Sequence, residues 1–337
     1  MICIDECYFL VFVKRMNWKG VFLGHDVHEL QAVKFISLNV SLHLKKASYF
    51  KNKNLNNIYE KLGQIIKVEN ELLKYLSFGF FTCETYDLSK PLHLQNDANY
   101  DSTHFIWNAN IIRQLAQRGV SDNWMDKVVQ GFFGMFQCPN SDSTYALISR
   151  RSSEMGGTRF ISRGINEDGY VSNYVETEQV LIKGQHIATY IQIRGSVPLF
   201  WRQTGVVAPM ELTKSVEFAI PSYVKHINRL NNYFGDIYCV NLMSATKSGE
   251  GTLSADFKKI VGLMGNPRLQ YDHIDFHGIT EGTNFIALNN FMQNHEKFIN
   301  ENGCHLFEVT FSDSGALKVA FNLQLEHQSC QKADRHN

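Results

Sequence analysis

The sequence predicts a mixed α/β protein with a β-rich domain over residues 1–100 and an α/β domain over residues 101–337. Two observations support this division. The first hundred residues alternate short apolar runs with polar turns, a pattern typical of strands. From residue 236 onward, apolar runs of strand length alternate with segments of helical periodicity, which is typical of a sheet covered by helices.

In the first domain, strands are predicted at residues 8–13, 21–23 and 32–42, and the polar segment 17–20, which ends in glycine, predicts the turn between the first two. A helix follows over residues 55–76, because leucine, isoleucine and tyrosine recur there at three- and four-residue spacing.

Gly79 suits the end of that helix, since glycine readily adopts the left-handed conformation found at helix ends. The polar segment 90–103, which contains Pro91, is a predicted linker. In the second domain, residues 175–182 and 188–194 are predicted strands joined by a turn at 183–185. The alternating elements that follow are strand 237–243, helix 255–264, strand 273–276, helix 286–299 and strand 305–311.

Composition excludes several classes of protein. Lys plus Arg and Asp plus Glu are balanced at 33 each, so no overall field attracts nucleic acid, and any anion must bind at a local cluster. The seven cysteines include no Cys-x-x-Cys pair, which favours reduced thiols in the cytoplasm over disulfides or a metal site. No run of about 18 apolar residues indicates a transmembrane helix.

One stretch of the sequence carries several motifs in a fixed order. They are Ser149-Arg150-Arg151, Gly157-Thr158-Arg159, Arg163-Gly164-Ile165-Asn166, Asn173-Tyr174-Val175-Glu176-Thr177-Glu178-Gln179 and Arg194-Gly195-Ser196-Val197-Pro198-Leu199-Phe200-Trp201. In order and spacing they resemble the Sac domain of phosphoinositide phosphatases, and residues 191–201 are similar to its synaptojanin branch. Weaker similarities, including Val240-Asn241-Leu242 and Asp275-Phe276-His277, extend over most of the chain.

The resemblance implies a phosphatase that removes a monophosphate from the inositol ring of a membrane phosphatidylinositol phosphate. It implies a phosphocysteine intermediate, no metal and no cofactor. A cytoplasmic protein that associates peripherally with membranes is therefore expected. The glycines of the block are expected to form turns and close backbone contacts.

The arginines of the block have two possible roles. A buried guanidinium needs acceptors, and bidentate geometry suits a phosphate. Internal ion pairs with Glu176 or Glu178 are the alternative. We expect Arg159 and Arg194 to point toward the catalytic pocket. The candidate substrate-binding residues are Arg151, Arg159, Arg163 and Arg194.

The resemblance also implies a catalytic loop in which five residues separate a nucleophilic cysteine from an arginine and a threonine follows. Such a loop surrounds a phosphate with backbone N–H groups. The matching candidates here are Cys330, Asp334 and Arg335. Only four residues separate Cys330 from Arg335, and alignment on Arg335 instead places Ser329 at the nucleophile position and His336 at the threonine.

Three explanations of this altered loop are open. The sequence is a truncated or misread gene product, an inactive relative that still binds lipid headgroups, or an enzyme of unusual geometry. We expect an incomplete and inactive form, and the alternative function is a non-catalytic phosphoinositide-binding or scaffold module. A nucleotide-binding enzyme is more remote, because neither Gly-x-Gly-x-x-Gly nor a Walker-type Gly-Lys-Ser is present.

Overall fold

A computed structural model describes most of the chain. The described ranges are 2–4, 7–37, 78–157, 161–205, 208–247, 249–279, 304–311 and 317–320, with helical positions within 67–76 and 289–298. The chain divides into two compact units. The first comprises residues 1–91, 102–136 and 146–150, and the second comprises residues 92–101, 137–145 and 151–337.

The first unit is built on antiparallel strands. β1 (Ile2–Ile4), β2 (Cys7–Phe22), β3 (His25–Ser37), β4 (Phe80–Thr82) and β5 (Val129–Gln137) pair in that order. Apolar side chains from several of these strands meet in its core. The ring of Phe22 lies edge-on to that of Phe133 at 6.1 Å, and Phe80 lies edge-on to Trp107 at 5.6 Å.

The predicted turn at residues 17–20 is wrong, because β2 runs through this segment. The reversal is at Leu23 and Gly24, both of which have positive φ. The strand absorbs its extra residues as register shifts, one of them between Trp18 and Gly20. Gly20 therefore marks a bulge within a strand, a position that glycine also favours.

The remaining elements up to residue 151 are mostly short. α1 spans Ala109–Ala116, single 3-10 turns cover Leu92–Leu94, Thr103–Phe105 and Asp122–Trp124, and β6 spans Ser143–Arg151. The predicted helix 55–76 falls largely outside the described residues, but positions from 67 to 76 that are described are helical. Gly79 follows it with φ of +72°, as expected for a glycine after a helix.

In the second unit, β7 (Val175–Lys183) and β8 (His186–Arg194) form the predicted hairpin. β13 (His305–Phe311) pairs with β8, and β14 (Leu317–Ala320) pairs with β13. All these pairings are antiparallel. The predictions of the hairpin and of the strand 305–311 are confirmed.

The rest of the second unit alternates helices and strands. Its elements are β9 (Trp201–Arg202), β10 (Glu211–Leu212), α2 (Val216–Phe234), β11 (Ile237–Asn241), α3 (Glu250–Met264), β12 (Leu269–His273) and α4 (Phe276–Ile279). β11 and β12 are parallel, with α3 between them in the chain. The strand predicted at 273–276 is displaced, because β12 ends at His273 and a helical turn begins at Phe276. The mixed α/β class is confirmed.

The core of the second unit lies around α2 and α3. Buried apolar residues of the two helices pack with the segment before β9, and the cluster includes Leu199, Tyr223, Ile227, Phe257 and Ile260. α2 was not predicted, although Ser215 caps its start by accepting a hydrogen bond of 3.2 Å from the Phe218 N–H. Pro221 lies inside the helix and disguises its pattern.

The segment 90–103 is not a plain linker. Leu92 and Leu94 are buried, and the Leu92 N–H donates a hydrogen bond of 2.7 Å to the carboxylate of Glu178. The segment is therefore fixed against β7 by burial and hydrogen bonding, even though its polar composition predicts an exposed connection.

Candidate functional site

The first motif arginine, Arg150, is completely buried. Its Nε donates a hydrogen bond of 2.6 Å to the Leu88 carbonyl, and its Nη2 donates one of 2.9 Å to the Lys90 carbonyl. A guanidinium without exposed surface cannot meet a phosphate from outside. Arg150 therefore stabilises the backbone near residue 89, where carbonyl oxygens offset the cost of burying its charge.

Arg151 holds the loop that follows β6. Its Nη2 donates hydrogen bonds of 2.6 Å to the Gly157 carbonyl and to Oδ1 of Asn173. Asn173 in turn donates to the Ser162 carbonyl at 3.2 Å. One arginine–asparagine pair thus fixes the chain on both sides of the motif glycine and threonine. A contact between Arg151 and substrate stays a prediction.

Arg163 is half-buried and stacks on an aromatic ring. Its guanidinium carbon lies 5.1 Å from the centroid of the Trp201 ring, and its Nη2 donates a hydrogen bond of 2.6 Å to Oε1 of Gln203. Gln203 is itself held by the Ala208 carbonyl at 3.3 Å. These two contacts orient the guanidinium.

Arg194 is the last residue of β8, directly opposite Val175, and its side chain is exposed. In the part of the chain that the structure describes, it forms no ion pair with Glu176 or Glu178. Its expected orientation toward a catalytic pocket stays a prediction. Arg159 lies outside the described residues.

Glu176 and Glu178 project from β7 into the interior, where both are fully buried. Oε1 of Glu178 accepts the Leu92 N–H at 2.7 Å, and Oε2 of Glu176 accepts the Tyr100 hydroxyl at 3.3 Å. Burial raises the pKa of Tyr174, and the charge of Glu176 raises it further. The two glutamates therefore fix the segment 92–101.

Gly164 shows why the motif needs a glycine. Its φ is +76°, and a side-chain carbon there would lie 2.6 Å from the Leu199 carbonyl oxygen. Its N–H donates a hydrogen bond of 2.9 Å to Oγ of Ser196, whose own N–H donates to the Ser172 carbonyl at 3.0 Å. The expected close backbone contact is confirmed at this position.

α2 supplies contacts that sequence reasoning missed. Nδ1 of His226 and Nη1 of Arg229 both donate to the Gly169 carbonyl at 3.1 Å, and Arg229 also covers the Tyr170 ring at 3.9 Å. Burial, and to a smaller extent the charge of Arg229, lower the pKa of His226 to about 4, whereas the Gly169 hydrogen bond opposes this shift. His226 is neutral and structural. The basic i, i+3 pair was visible, but its helix was not predicted.

The carboxyl ends of the parallel strands β11 and β12 form a second polar cluster. The Asp275 carboxylate accepts the Gly278 N–H at 3.1 Å, the Ala245 N–H at 3.0 Å and the Ser244 hydroxyl at 3.0 Å. These hydrogen bonds lower the pKa of Asp275. Asp275 is therefore an ionised acceptor that fixes two loops, and it is a poor proton donor.

The candidate catalytic residues Cys330, Asp334 and Arg335 lie outside the described residues. Within the described part of the chain, no three His, Cys, Asp or Glu side chains are grouped so as to hold a metal ion. A search of the same residues finds no helix that is both long and apolar enough to cross a membrane.

The chain matches a known protein family over most of its length. The sequence pattern of the SacI homology domain matches residues 1–281. Human synaptojanin-1 is 29% identical over 282 residues, which is 82% of this chain and 17% of that protein. Phosphoinositide phosphatase SAC6 of Arabidopsis thaliana is 29% identical over 316 residues, which is 88% of this chain and 51% of that protein.

A third relative is named an inositol phosphatase. Inositol-1,4,5-trisphosphate 5-phosphatase 1 of Schizosaccharomyces pombe is 33% identical over 235 residues, which is 62% of this chain and 22% of that protein. The chain therefore spans from about a sixth to about a half of the lengths of these three relatives.

Proposed function

Because the chain belongs to the SacI homology domain family, we propose that it provides the substrate-binding scaffold of a phosphoinositide phosphatase. The observation that carries this proposal is the family match over residues 1–281, together with relatives named phosphoinositide phosphatase and inositol-trisphosphate phosphatase. The proposed substrate class is phosphatidylinositol phosphates at a membrane surface, which peripheral association would allow the protein to reach.

The proposed family reaction transfers a phosphoryl group to cysteine. The thiolate attacks phosphorus, a sulfur–phosphorus bond forms, and the bond from phosphorus to the inositol oxygen breaks. That oxygen takes a proton from an aspartic acid, and water then cleaves the sulfur–phosphorus bond. The corresponding candidates are Cys330 as nucleophile, Asp334 as proton donor and Arg335 as the phosphate ligand.

The proposed headgroup ligands are the motif arginines. Arg194 is exposed at the end of β8, and the charge of Arg163 is held between a ring and a neutral amide. A hydrogen bond to a charged group contributes about 1.5–3 kcal/mol. Two such guanidinium groups would be sufficient for weak headgroup binding without a nucleophile. Arg151 and Arg159 are proposed to contribute as well.

We propose that this chain does not hydrolyse phosphoinositides, although its family does. Four residues lie between Cys330 and Arg335, so a phosphate ring closed by these two is one residue short of the family spacing. A thiolate displaced from beneath the phosphorus is poorly aligned for in-line attack. The test measures phosphate release from vesicles that contain each phosphatidylinositol monophosphate, and we expect no release above the level of Cys330→Ser. Release that Cys330→Ser abolishes would contradict inactivity.

The second candidate function is a non-catalytic phosphoinositide-binding module, favoured by the exposure of Arg194. We expect a double variant, Arg159→Gln with Arg194→Gln, to lower affinity for phosphoinositide vesicles about tenfold or more, because two charge-assisted contacts are lost. Arg118→Gln is a matched control, since it removes an exposed arginine from α1's end. Circular dichroism checks that the variants fold. Unchanged affinity of a folded double variant would assign both arginines to the scaffold.

A further inference from the structure

Strand β2 exposes large apolar side chains over much of its length. The exposed fractions are 44% for Phe12, 46% for Val13, 46% for Met16, 57% for Trp18 and 47% for Val21. Every residue from 12 to 19 is exposed, so neither face of the strand is covered over this stretch. Several exposed apolar side chains on one strand mark an interaction site more often than scattered single residues do.

The outer edge of β2 is also open within the described part of the chain. β1 pairs only with Cys7–Phe9, and no described strand pairs with the outer edge beyond Phe9. Free edges are commonly protected by lysines and bulges. Lys14, Lys19 and the register shifts of β2 fit that explanation. It does not account for the exposed aromatic rings.

The charges on and around this strand are mainly positive. Residues 10–22 contain Lys14, Arg15 and Lys19 and no carboxylate. On the neighbouring β3, Asp26 accepts a hydrogen bond of 2.7 Å from Trp18 Nε1, and Glu29 pairs with Lys19 at 3.5 Å.

Lys34 of β3 lies opposite Phe12 and adds a further positive charge to the hairpin. Lys14 and Arg15 form no ion pair with any described residue. This part of the hairpin therefore carries positive charges that no described residue neutralises by an ion pair.

We propose that Phe12, Lys14, Arg15, Met16 and Trp18, here called the β2 surface, dock on an anionic membrane. Aromatic and aliphatic side chains enter the boundary between headgroups and acyl chains, while lysine and arginine bind anionic lipids. The presence of both apolar and basic side chains on one exposed strand favours an anionic membrane as the partner. The proposal rests on the proposed function, because phosphoinositide substrates lie in such a membrane, but it concerns the bulk lipid and not the substrate headgroup.

The test uses sedimentation with vesicles that lack phosphoinositides. We expect the chain to bind vesicles of equal parts phosphatidylserine and phosphatidylcholine and not phosphatidylcholine alone. Lys14→Gln with Arg15→Gln should lower affinity for the anionic vesicles about tenfold or more, because each basic residue near the surface contributes to attraction. Trp18→Ala should lower it as well, through lost apolar insertion.

Matched controls remove the same side-chain types elsewhere. Lys183→Gln with Lys258→Gln removes two exposed positive charges, and Trp124→Ala removes a ring that is 83% exposed. Both controls should bind as the parent does. A blue shift of tryptophan emission on vesicle addition, absent in Trp18→Phe, would place the Trp18 ring in the lipid.

Several outcomes would overturn the proposal. They are an absence of binding by the parent chain, parental affinity in the Lys14→Gln, Arg15→Gln variant, and a dimer in sedimentation velocity that Trp18→Ala dissociates. The dimer would make the partner a second copy of the chain. The Arg159→Gln, Arg194→Gln variant separates the two proposals. If it loses phosphoinositide binding but still binds phosphatidylserine vesicles, that result bears only on the proposed function.

Discussion

Arginines from a single motif block occupy very different environments. Arg150 is fully buried on two backbone carbonyls, Arg163 stacks on Trp201, and Arg194 is exposed at a strand end. The sequence motifs present these arginines as equivalent, but their burial and their contacts differ. The first stabilises the fold, the second is oriented by a ring and an amide, and Arg194 carries an exposed charge that a phosphate could neutralise.

Glycines of the second unit differ in the same way, which gives a first prediction. Gly169 has φ of +79°, and a side-chain carbon there would meet His226 N and Ser222 O at 2.9 Å. We expect Gly169→Ala to lower the free energy of unfolding by about 2–4 kcal/mol, from backbone strain and overpacking together. Gly184→Ala is the control, since Gly184 has φ of +56° and nothing within 4 Å.

Gly184→Ala should lower the free energy of unfolding only through backbone strain, by about 1–2 kcal/mol. Both values come from urea unfolding monitored by circular dichroism. Equal losses in the two variants would show that the contact between the turn and α2 is not tight.

The buried His226 gives a second prediction, concerning pH. Its pKa is about 4 in the folded chain against 6.5 ordinarily. As pH falls through this window, the unfolded chain binds a proton that the folded chain does not, so the free energy of unfolding decreases. The total decrease from this group is roughly 3 kcal/mol.

His226→Gln should therefore flatten the pH dependence of the unfolding free energy between about pH 6.5 and about pH 4. His186→Gln, at an exposed position that begins β8, should keep the parental slope. If His226→Gln also keeps the parental slope of unfolding free energy against pH, the protonation of His226 does not oppose folding.

Among the elements, α2 connects much of the second unit. Its buried face contributes Tyr223 and Ile227 to the core, and its basic residues hold the turn at Gly169. Ser215 begins this helix by accepting the Phe218 N–H. The stability of the motif turn therefore depends on a helix that lies outside the motif block.

A third prediction follows for that helix start. Ser215→Ala should lower the free energy of unfolding by about 1 kcal/mol, because one N–H at the helix start loses its acceptor. Ser215→Asp should retain most of the stability, since a carboxylate can also cap. Urea unfolding compares the variants, and a Ser215→Ala protein as stable as its parent would show that the cap contributes little.

Elements with a clear local pattern were predictable from the sequence. The β7–β8 hairpin has apolar strands on either side of a turn that contains Gly184, and β13 matches its predicted bounds of 305–311. α2 was not predictable in the same way, because Pro221 interrupts its pattern. The prediction of a turn at 17–20 was wrong because a glycine can mark either a turn or a bulge within a strand. Only the position of the partner strand distinguishes the two.

For the candidate site, the sequence motifs name residues but do not show their contacts. The motifs identify Arg163 as a candidate, but its partner Gln203 is 40 positions away in the chain. Likewise, Arg194 is exposed because it is the last residue of β8 and the surrounding fold leaves its side chain uncovered. Such contacts depend on tertiary packing, which no local pattern encodes.

For the molecule as a whole, positive and negative side chains balance at 33 each. Long-range attraction to an anionic lipid is therefore weak, and local clusters must supply the affinity. Interactions of exposed charges are screened over about 10 Å at 0.1 M salt. Headgroup binding by exposed arginines should accordingly respond to ionic strength even though the chain is neutral.

The fourth prediction is that phosphoinositide binding weakens as salt rises and that Arg194→Gln reduces this dependence. Loss of one exposed charge leaves fewer interactions for salt to screen. Vesicle sedimentation across a salt series measures the effect, with Arg118→Gln as the matched variant. Binding by the parent that does not change with salt would show that arginine–phosphate contacts are not its source.

The hydrogen bond from the Leu92 N–H to Glu178 joins residues 86 positions apart. A ribosome adds about 5–20 residues per second, so roughly 4–17 s pass between synthesis of the donor and of its acceptor. During that interval the Leu92 N–H has no Glu178 acceptor, and the side chains of Leu92 and Leu94, which are buried in the folded chain, are not yet in their final environment. The nascent chain therefore presents this apolar leucine segment to chaperones well before Glu178 of β7 leaves the exit tunnel.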